Sequence, residues 1–307
     1  MKHDTAGDPI SGIKWSRRTT RKIAEQLTTL GIAVSKNTVG RLLKQMDYKL
    51  RVNRKQIATS KSPHRNSQFL YIGQQRQSFA DQGLPVISVD TKKKEPIGAF
   101  KNPGAKWDLQ PQPVNDHDFR SDATAIAVPR GLYDTRTNHA SVFLGTSHDT
   151  PFFAVDTLAQ WWLYEGRQQY PQAHEILILA DGGGSNGWRC RAWKKALQDR
   201  FCNRFGLTAT VSHYPPGTSK WNPIEHRLFS QISRNWAGQP LTDLETMLNL
   251  IRTTTTKTGL TVTAYLTLGD YETGIKISKA EMRALNLNKH DTLGQWNYSL
   301  HPQQNVN

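Results

Sequence analysis

Cysteine is scarce in this 307-residue chain: Cys190 and Cys202 are the only two, and neither belongs to a Cys-x-x-Cys pair. That argues against a zinc site built on thiolates and fits a reducing compartment, where both would pack as small apolar groups. Long apolar runs are missing too. None approaches the roughly 20 residues needed to span a bilayer. The opening Met1-Lys2-His3-Asp4 has no apolar stretch behind it, so no secretory signal is read, the default location is the cytoplasm, and no membrane partner is expected. The Gly-x-x-x-x-Gly-Lys-[Ser/Thr] pattern of a phosphate-binding loop is absent, which weakens any reading as a nucleotide hydrolase. Coiled-coil heptads are absent as well. Acidic residues are in deficit: 25 Asp and Glu stand against 40 Lys and Arg, a formal net charge of +15. Such an excess attracts polyanions through counterion release and steering. Anionic lipid is disfavoured because there is no basic amphipathic helix with a strong apolar face. Nucleic acid is the better match.

What is present begins with two short helices. Ile23, Leu27 and Leu30 recur at helical spacing in a helix starting near Thr20, and Gly31 stops it. Ser35 is a good N-cap for a second helix with Val39, Leu42, Leu43 and Met46 as its buried stripe. Its polar face carries Lys36, Asn37, Arg41 and Lys44, and Arg17 and Arg18 precede the pair. Two helices, a glycine-bearing turn and a basic second helix are what a major-groove reader needs, although an ordinary helical hairpin has the same pattern. We therefore expect a helix-turn-helix DNA-binding domain over residues 1–55. A helical connection follows over 56–83, with Phe69, Ile72 and Phe79 as apolar positions of a helix from Gln68 to Ala80.

The pattern then changes to α/β. Leu84-Pro-Val-Ile-Ser-Val-Asp90 is a β-branched run that ends on a carboxylate. After a stretch from Lys101 to Asp122 without clear periodicity, Gly131–Thr135 and Ala140–Gly145 read as a hairpin around a turn at Arg136–His139. Asp149 or Thr150 can cap a helix with Pro151 at its first position. Trp161 and Trp162, in that helix, read as core. Glu175-Ile-Leu-Ile-Leu-Ala-Asp181 is a continuous apolar strand, again ending on a carboxylate, and suggests a strand covered on both faces. A helix from about Trp188 to Phe205, a strand from Leu207 to His213, and a helix from Asn222 or Pro223 complete the series. Strands and helices mixed at these spacings make an α/β sheet with flanking helices, expected over residues 84–260, with 261–307 as a C-terminal extension.

Asp90 and Asp181 share a setting at the carboxyl ends of strands, where ligands of open α/β sheets sit. Side by side, such a pair repels until divalent cations intervene. Each aspartate alone can equally cap a turn. Glu225 lies early in the helix that starts at Asn222-Pro223, and Asn222 with Glu225 looks like a capping box. A helix N-terminus also favours the ionised carboxylate that a metal needs. The glycines of Gly182–Gly187 would let backbone or DNA approach Asp181 closely. His213, Lys220 and His226 flank the same region.

Three blocks together resemble a known family. Val86-Ile-Ser-Val-Asp-Thr-Lys-Lys-Lys94, Leu179-Ala-Asp-Gly-Gly-Gly-Ser-Asn-Gly187 and Pro215-Pro-Gly-Thr-Ser-Lys-Trp-Asn-Pro-Ile-Glu-His-Arg-Leu-Phe229 are similar to the Rhodopirellula-type DDE transposases of bacterial insertion sequences, over about residues 8–298. Asn222-Pro-Ile-Glu225 also looks like the third-carboxylate motif of the wider mariner-type superfamily. The resemblance implies a ribonuclease-H-like mixed sheet with flanking helices. It implies Asp90, Asp181 and Glu225 as catalytic residues and as ligands of two Mg²⁺ or Mn²⁺ ions. Strand cleavage and strand transfer on terminal inverted repeats and target DNA follow, by a homo-oligomer on DNA in the bacterial cytoplasm and nucleoid. The DNA-contacting set would be Arg17, Arg18, Lys36, Asn37, Arg41, Lys44 and Lys220. A nuclease of the same fold that cuts without joining, and a non-catalytic DNA-binding repressor, are the alternatives.

Overall fold

Alternation of apolar and polar residues decides which side of each strand is covered, and the computed structural model shows the outcome for residues 5–7, 14–16, 18–48, 50 and 62–303. The chain divides into two units, residues 1–57 and 58–307.

In the first unit, β1 (Thr5–Gly7) pairs antiparallel with β2 (Lys14–Ser16). Helix α1 (Thr20–Thr29) starts where Thr19 accepts a hydrogen bond from the Lys22 N–H, and Gly31 leaves it at φ +83°. Helix α2 (Lys36–Gln45) is capped by Ser35, which accepts from the Thr38 N–H, as the sequence pattern indicates. Its core is small. Ile23, Ala24 and Val39 are buried, with Leu27, Val34 and Leu43 packed around them. Leu42 and Met46, expected to be buried, are exposed, and so is Leu30 at the end of α1. Two ten-residue helices cover only one narrow face of each other, so these three remain uncovered among the described residues.

The second unit is built on a nine-stranded mixed sheet. In chain order its strands are β3 (Val86–Thr91), β4 (Glu95–Ile97), β5 (Ala125–Asp134), β6 (His139–Gly145), β7 (Glu175–Ala180), β8 (Thr208–His213), β9 (Thr261–Leu266), β10 (Leu287–Lys289) and β11 (Asn297–Leu300). Across the sheet they run β10-β11-β8-β7-β3-β5-β6-β9, and β4 pairs with β5. Strand β3 lies between β5, antiparallel, and β7, parallel. Residues 261–307, set apart as an extension in the sequence, supply strands to both edges of this sheet: β9 beside β6, and β10 and β11 beyond β8.

Both faces are covered. On one, α4 (Pro151–Trp161) and the helical stretch Arg191–Phe205 pack Leu158, Trp161, Trp193 and Phe201 against Ile87, Val89, Ile176 and Ile178. Trp161 and Trp162 are core residues, as expected. Thr150, not Asp149, caps α4, accepting from the Phe153 N–H. On the other face, α3 (Arg65–Asp81) sets Ile72 and Phe79 against Val86, Leu177 and Leu179, so the helix of the expected connection is part of this unit's core. The helical stretch that follows Asn222 buries Ile224, Leu228, Phe229 and Ile232 beside Tyr133, Val142 and Leu144. Each fully buried Leu or Ile contributes about 1.5–3 kcal/mol. Cys202 is buried and Cys190 half-buried, both as free thiols. Among the described residues, no helix is long and apolar enough to cross a membrane.

Candidate active site

Strand periodicity places the first acid. Side chains alternate across a strand, so Val86, Ser88 and Asp90 share the face of β3 opposite Ile87 and Val89. Ser88 is fully buried, and its Oγ donates to Asn222 Oδ1 and accepts from the Ile224 N–H at 3.3 Å. That contact seats the start of the Glu225 helix on the strand carrying Asp90. Asp90 itself accepts from the Thr91 N–H at 2.8 Å.

The second acid follows β7, whose last residue Ala180 pairs with Val89 in the parallel ladder, so Asp90 and Asp181 are the next residues on adjacent strands. The Asp181 side chain accepts from Asn222 Nδ2 at 3.0 Å, and its backbone carbonyl lies 3.0 Å from His213 Nδ1. His213 is wholly buried, and burial pushes its imidazole down to about 4, so it is neutral at pH 7. It is a support of the Asp181 backbone, not a phosphate contact.

The third acid, Glu225, begins a π-type turn (Glu225–Phe229) that leads into the helix Ser230–Asn235. The capping box read from Asn222 and Glu225 is not what forms. Asn222 is fully buried, and its side chain bridges Ser88 and Asp181 instead. The close approach of this helix depends on Gly131, which pairs with Asp90 across β3 and β5. A Cβ there would lie 2.7 Å from the Phe229 ring and 2.9 Å from Ile224. In the sequence Gly131 reads only as part of a hairpin. A lone glycine in an otherwise buried strand was the available signal.

Burial and neighbouring carboxylates act on the two aspartates in the same direction. Burial raises the Asp90 carboxyl to about 7, reinforced by Asp181 and, more weakly, Glu225, and opposed by Arg130 and the Thr91 N–H. Burial also raises Asp181, with Glu225 adding to the rise and the Asn222 hydrogen bond opposing it. Asp90 and Asp181 open on a cavity of about 530 Å³ that is also lined by Asp149, the loop 182–186, Pro215 and Ser219. Glu225 stands outside this lining. Among the described residues, no three His, Cys, Asp or Glu side chains are drawn together into a ready-made metal cage.

Sequence reasoning missed two further residues here. Arg130 on β5 is 1% exposed, and its Nη1 donates to Thr91 Oγ1 at 3.0 Å and Asn186 Oδ1 at 3.1 Å. Its Nε and Nη2, and Asn186 Nδ2, have no hydrogen-bond partner among the described residues. Asp149, released from capping α4, accepts from Thr91 Oγ1 at 3.2 Å and joins Asp90 in the field of the Arg130 guanidinium. An arginine in an apolar strand carries no motif, so only the fold shows it.

Of the expected DNA-contacting residues, Lys36, Asn37, Arg41 and Lys44 are all exposed on α2. Arg18 is half-buried and donates to Gln26. Arg17 lies outside the described residues. Lys220 is exposed, with its Nζ 5.5 Å from the Trp221 ring centre. His226 is exposed and bonded to the Lys220 carbonyl.

The Rhodopirellula transposase DDE domain matches residues 1–302 of the chain. The chain belongs to that family. No curated protein matches it. Among solved structures, the Mos1 transposase paired-end complex with left transposon end is similar at 17% identity and a TM-score of 0.45, over 74% of this chain and 63% of that one. The Mos1 mariner paired-end complex with Mn has 17% identity and a TM-score of 0.44, over 74% and 64%. The Mos1 strand transfer complex has 16% identity and a TM-score of 0.44, over 75% and 63%. The chain thus spans less than two thirds of the length of those proteins.

Proposed function

We propose that this chain is the transposase of an insertion sequence, cutting and joining DNA ends by metal-dependent phosphoryl transfer on a ribonuclease-H-like domain. One observation carries the reading: the pairing of Val89 with Ala180 brings Asp90 and Asp181, distant in sequence, to one cavity, and Asn222, three residues before Glu225, bonds to Asp181 and to Ser88 beside them. The donor set is all oxygen, as Mg²⁺ and Mn²⁺ prefer. Burial and neighbouring carboxylates raise both aspartates, which is the condition that a bound cation relieves. Asp90, Asp181 and Glu225 would hold the ions. Two such ions, when bound, supply an activated nucleophile and stabilise the leaving oxygen.

The chain's own residues do the rest. Asn222 orients Asp181, and the Thr91 N–H orients Asp90. Arg130 offsets the negative charge from within the protein and ties Thr91 to the Asn186 side chain. Gly182–Gly184 line the cavity without side chains, leaving room for a DNA backbone. We assign the exposed cations of α2, with Asn37, to contacts with the element-end duplex, in the manner of a helix-turn-helix. Terminal inverted repeats and target DNA are the proposed partners, and a homo-oligomer on DNA the proposed working form.

The test is strand cleavage and strand transfer by wild type and Asp181→Asn. Wild type should nick an element-end duplex only with Mg²⁺ or Mn²⁺ and join a pre-cut end to target. The variant should bind DNA nearly normally and do neither. Cleavage without joining by wild type would favour a nuclease, and wild-type rates in the variant would reject the site.

A further inference from the structure

The helix that begins at Glu225 has a second face with no assigned role. Arg227, Gln231 and Arg234 lie at helical spacing and line one wall of a groove of about 660 Å³, which is larger than the catalytic cavity. Lys257 and Asn138 contribute the facing wall, and His226 lies at the end nearest Glu225 in sequence. Among the described residues, no carboxylate lines this groove. The side chains of Arg227, Arg234 and Lys257 make no hydrogen bond or ion pair among the described residues, while Arg200, Lys195 and Lys92 elsewhere on this unit each have a carboxylate partner.

The groove is a built feature. Asn138 stands at φ +57° in the β5–β6 turn, its Nδ2 donating to the Thr258 carbonyl at 2.9 Å and its Oδ1 accepting from the Tyr133 hydroxyl at 2.9 Å. These bonds hold the loop carrying Lys257 against the hairpin. The opposite wall is fixed by Leu228 and Ile232, buried on the reverse of the same helix. Three cations are therefore set along a fixed channel without counter-charge from the protein.

We infer that this groove is a binding site for the phosphate backbone of duplex DNA, acting alongside the catalytic cavity. The inference rests on the DNA-processing reading above. A phosphodiester backbone supplies anions at regular intervals, as the arrangement of the cations demands. Arg227 and Arg234 are roughly 10 Å apart along a helix rising about 1.5 Å per residue. A DNA strand places a phosphate about every 3.4 Å of axis, so this wall faces about three. Contacts to phosphate fix register without reading sequence. Because Glu225 and this wall belong to one helix, a backbone held here is held in a fixed relation to the third acid.

The test uses the full chain in EDTA and a 30-base-pair duplex of arbitrary sequence, with affinity read by fluorescence anisotropy across a KCl series. Each phosphate contact contributes about 0.9 to the slope of log affinity against log salt. The triple variant Arg227→Gln, Arg234→Gln, Lys257→Gln should lower that slope by about 2–3. A control removing three exposed cations elsewhere, Lys276→Gln, Lys279→Gln, Arg283→Gln, should lower it by less than 1. Equal losses in both would mean that net charge alone acts, and no loss in the groove variant would mean that DNA does not enter; either overturns the inference. Tighter binding of double-stranded RNA than of DNA, lost in the groove variant, would overturn the choice of ligand. Single Arg234→Gln, expected to lower the slope by about 1, provides the same test if the triple variant folds poorly. Nicking is not part of this readout, so failure of the catalytic reading would show separately as wild type that binds DNA but never cuts it.

Discussion

Asn222 donates its side-chain N–H to Asp181 at 3.0 Å while its carbonyl oxygen accepts from Ser88 on the strand that carries Asp90. One buried amide thus joins the seat of the first acid, the second acid, and the start of the helix bearing the third. Asn222→Ala removes both contacts. Partners that orient metal-binding side chains typically cost 10–100-fold in affinity or activity when lost. We expect metal-dependent nicking to fall by that order, with DNA affinity in EDTA within twofold of wild type. Unchanged nicking would show that Asn222 is only a packing residue.

Gly131 should be intolerant for a steric reason. A Cβ at this position meets Phe229 at 2.7 Å and Ile224 at 2.9 Å. Overpacking of this kind costs about 1–3 kcal/mol. Gly131→Ala is expected to lower the urea midpoint accordingly and to reduce nicking further than that loss accounts for, because the displaced helix carries Glu225. Full activity in the folded variant would contradict this.

Glu165 gives a pH prediction away from the acids. It lies in the π-type turn after α4 and accepts from Ser141, Thr263 and Tyr265 at 2.7–2.8 Å, with His139 Nε2 at 2.9 Å. Burial alone would raise its carboxyl. The hydrogen bonds from His139, Thr263, Ser141 and Tyr265 outweigh that and hold it down at about 2, against 4.5 in an unstructured chain. Its stabilisation is present above pH 4.5 and is lost as the pH falls toward 2. Thermal melts should show Tm dropping through that window, with a shallower drop in Glu165→Gln. At pH 7 the variant should be less stable by about 1–3 kcal/mol, since an amide N–H₂ would face hydroxyl donors. Parallel pH curves for the two proteins would refute the assignment.

Legibility in the sequence followed the range of the forces involved. The placement of Asp90 and Asp181 near strand ends is readable because β-branched and apolar runs mark buried strands and their ends within a few residues. Caps such as Ser35 and Thr150 are equally local. The role of Asn222 was misread because its local option, capping Glu225, competed with partners 134 and 41 residues away. Gly131 and Arg130 act through contacts across the sheet, which no spacing reveals. Strands β10 and β11 are three and four residues long and take their place only by pairing outward from β8.

The most direct test of the shared acidic site is Mn²⁺ binding followed by electron paramagnetic resonance, without DNA, in wild type and in Asp90→Asn, Asp181→Asn and Glu225→Gln. Each substitution is expected to weaken binding by at least tenfold while leaving the fold intact by circular dichroism. Wild-type affinity in any one of the three would show that this residue is not part of a common metal centre, and would contradict the account.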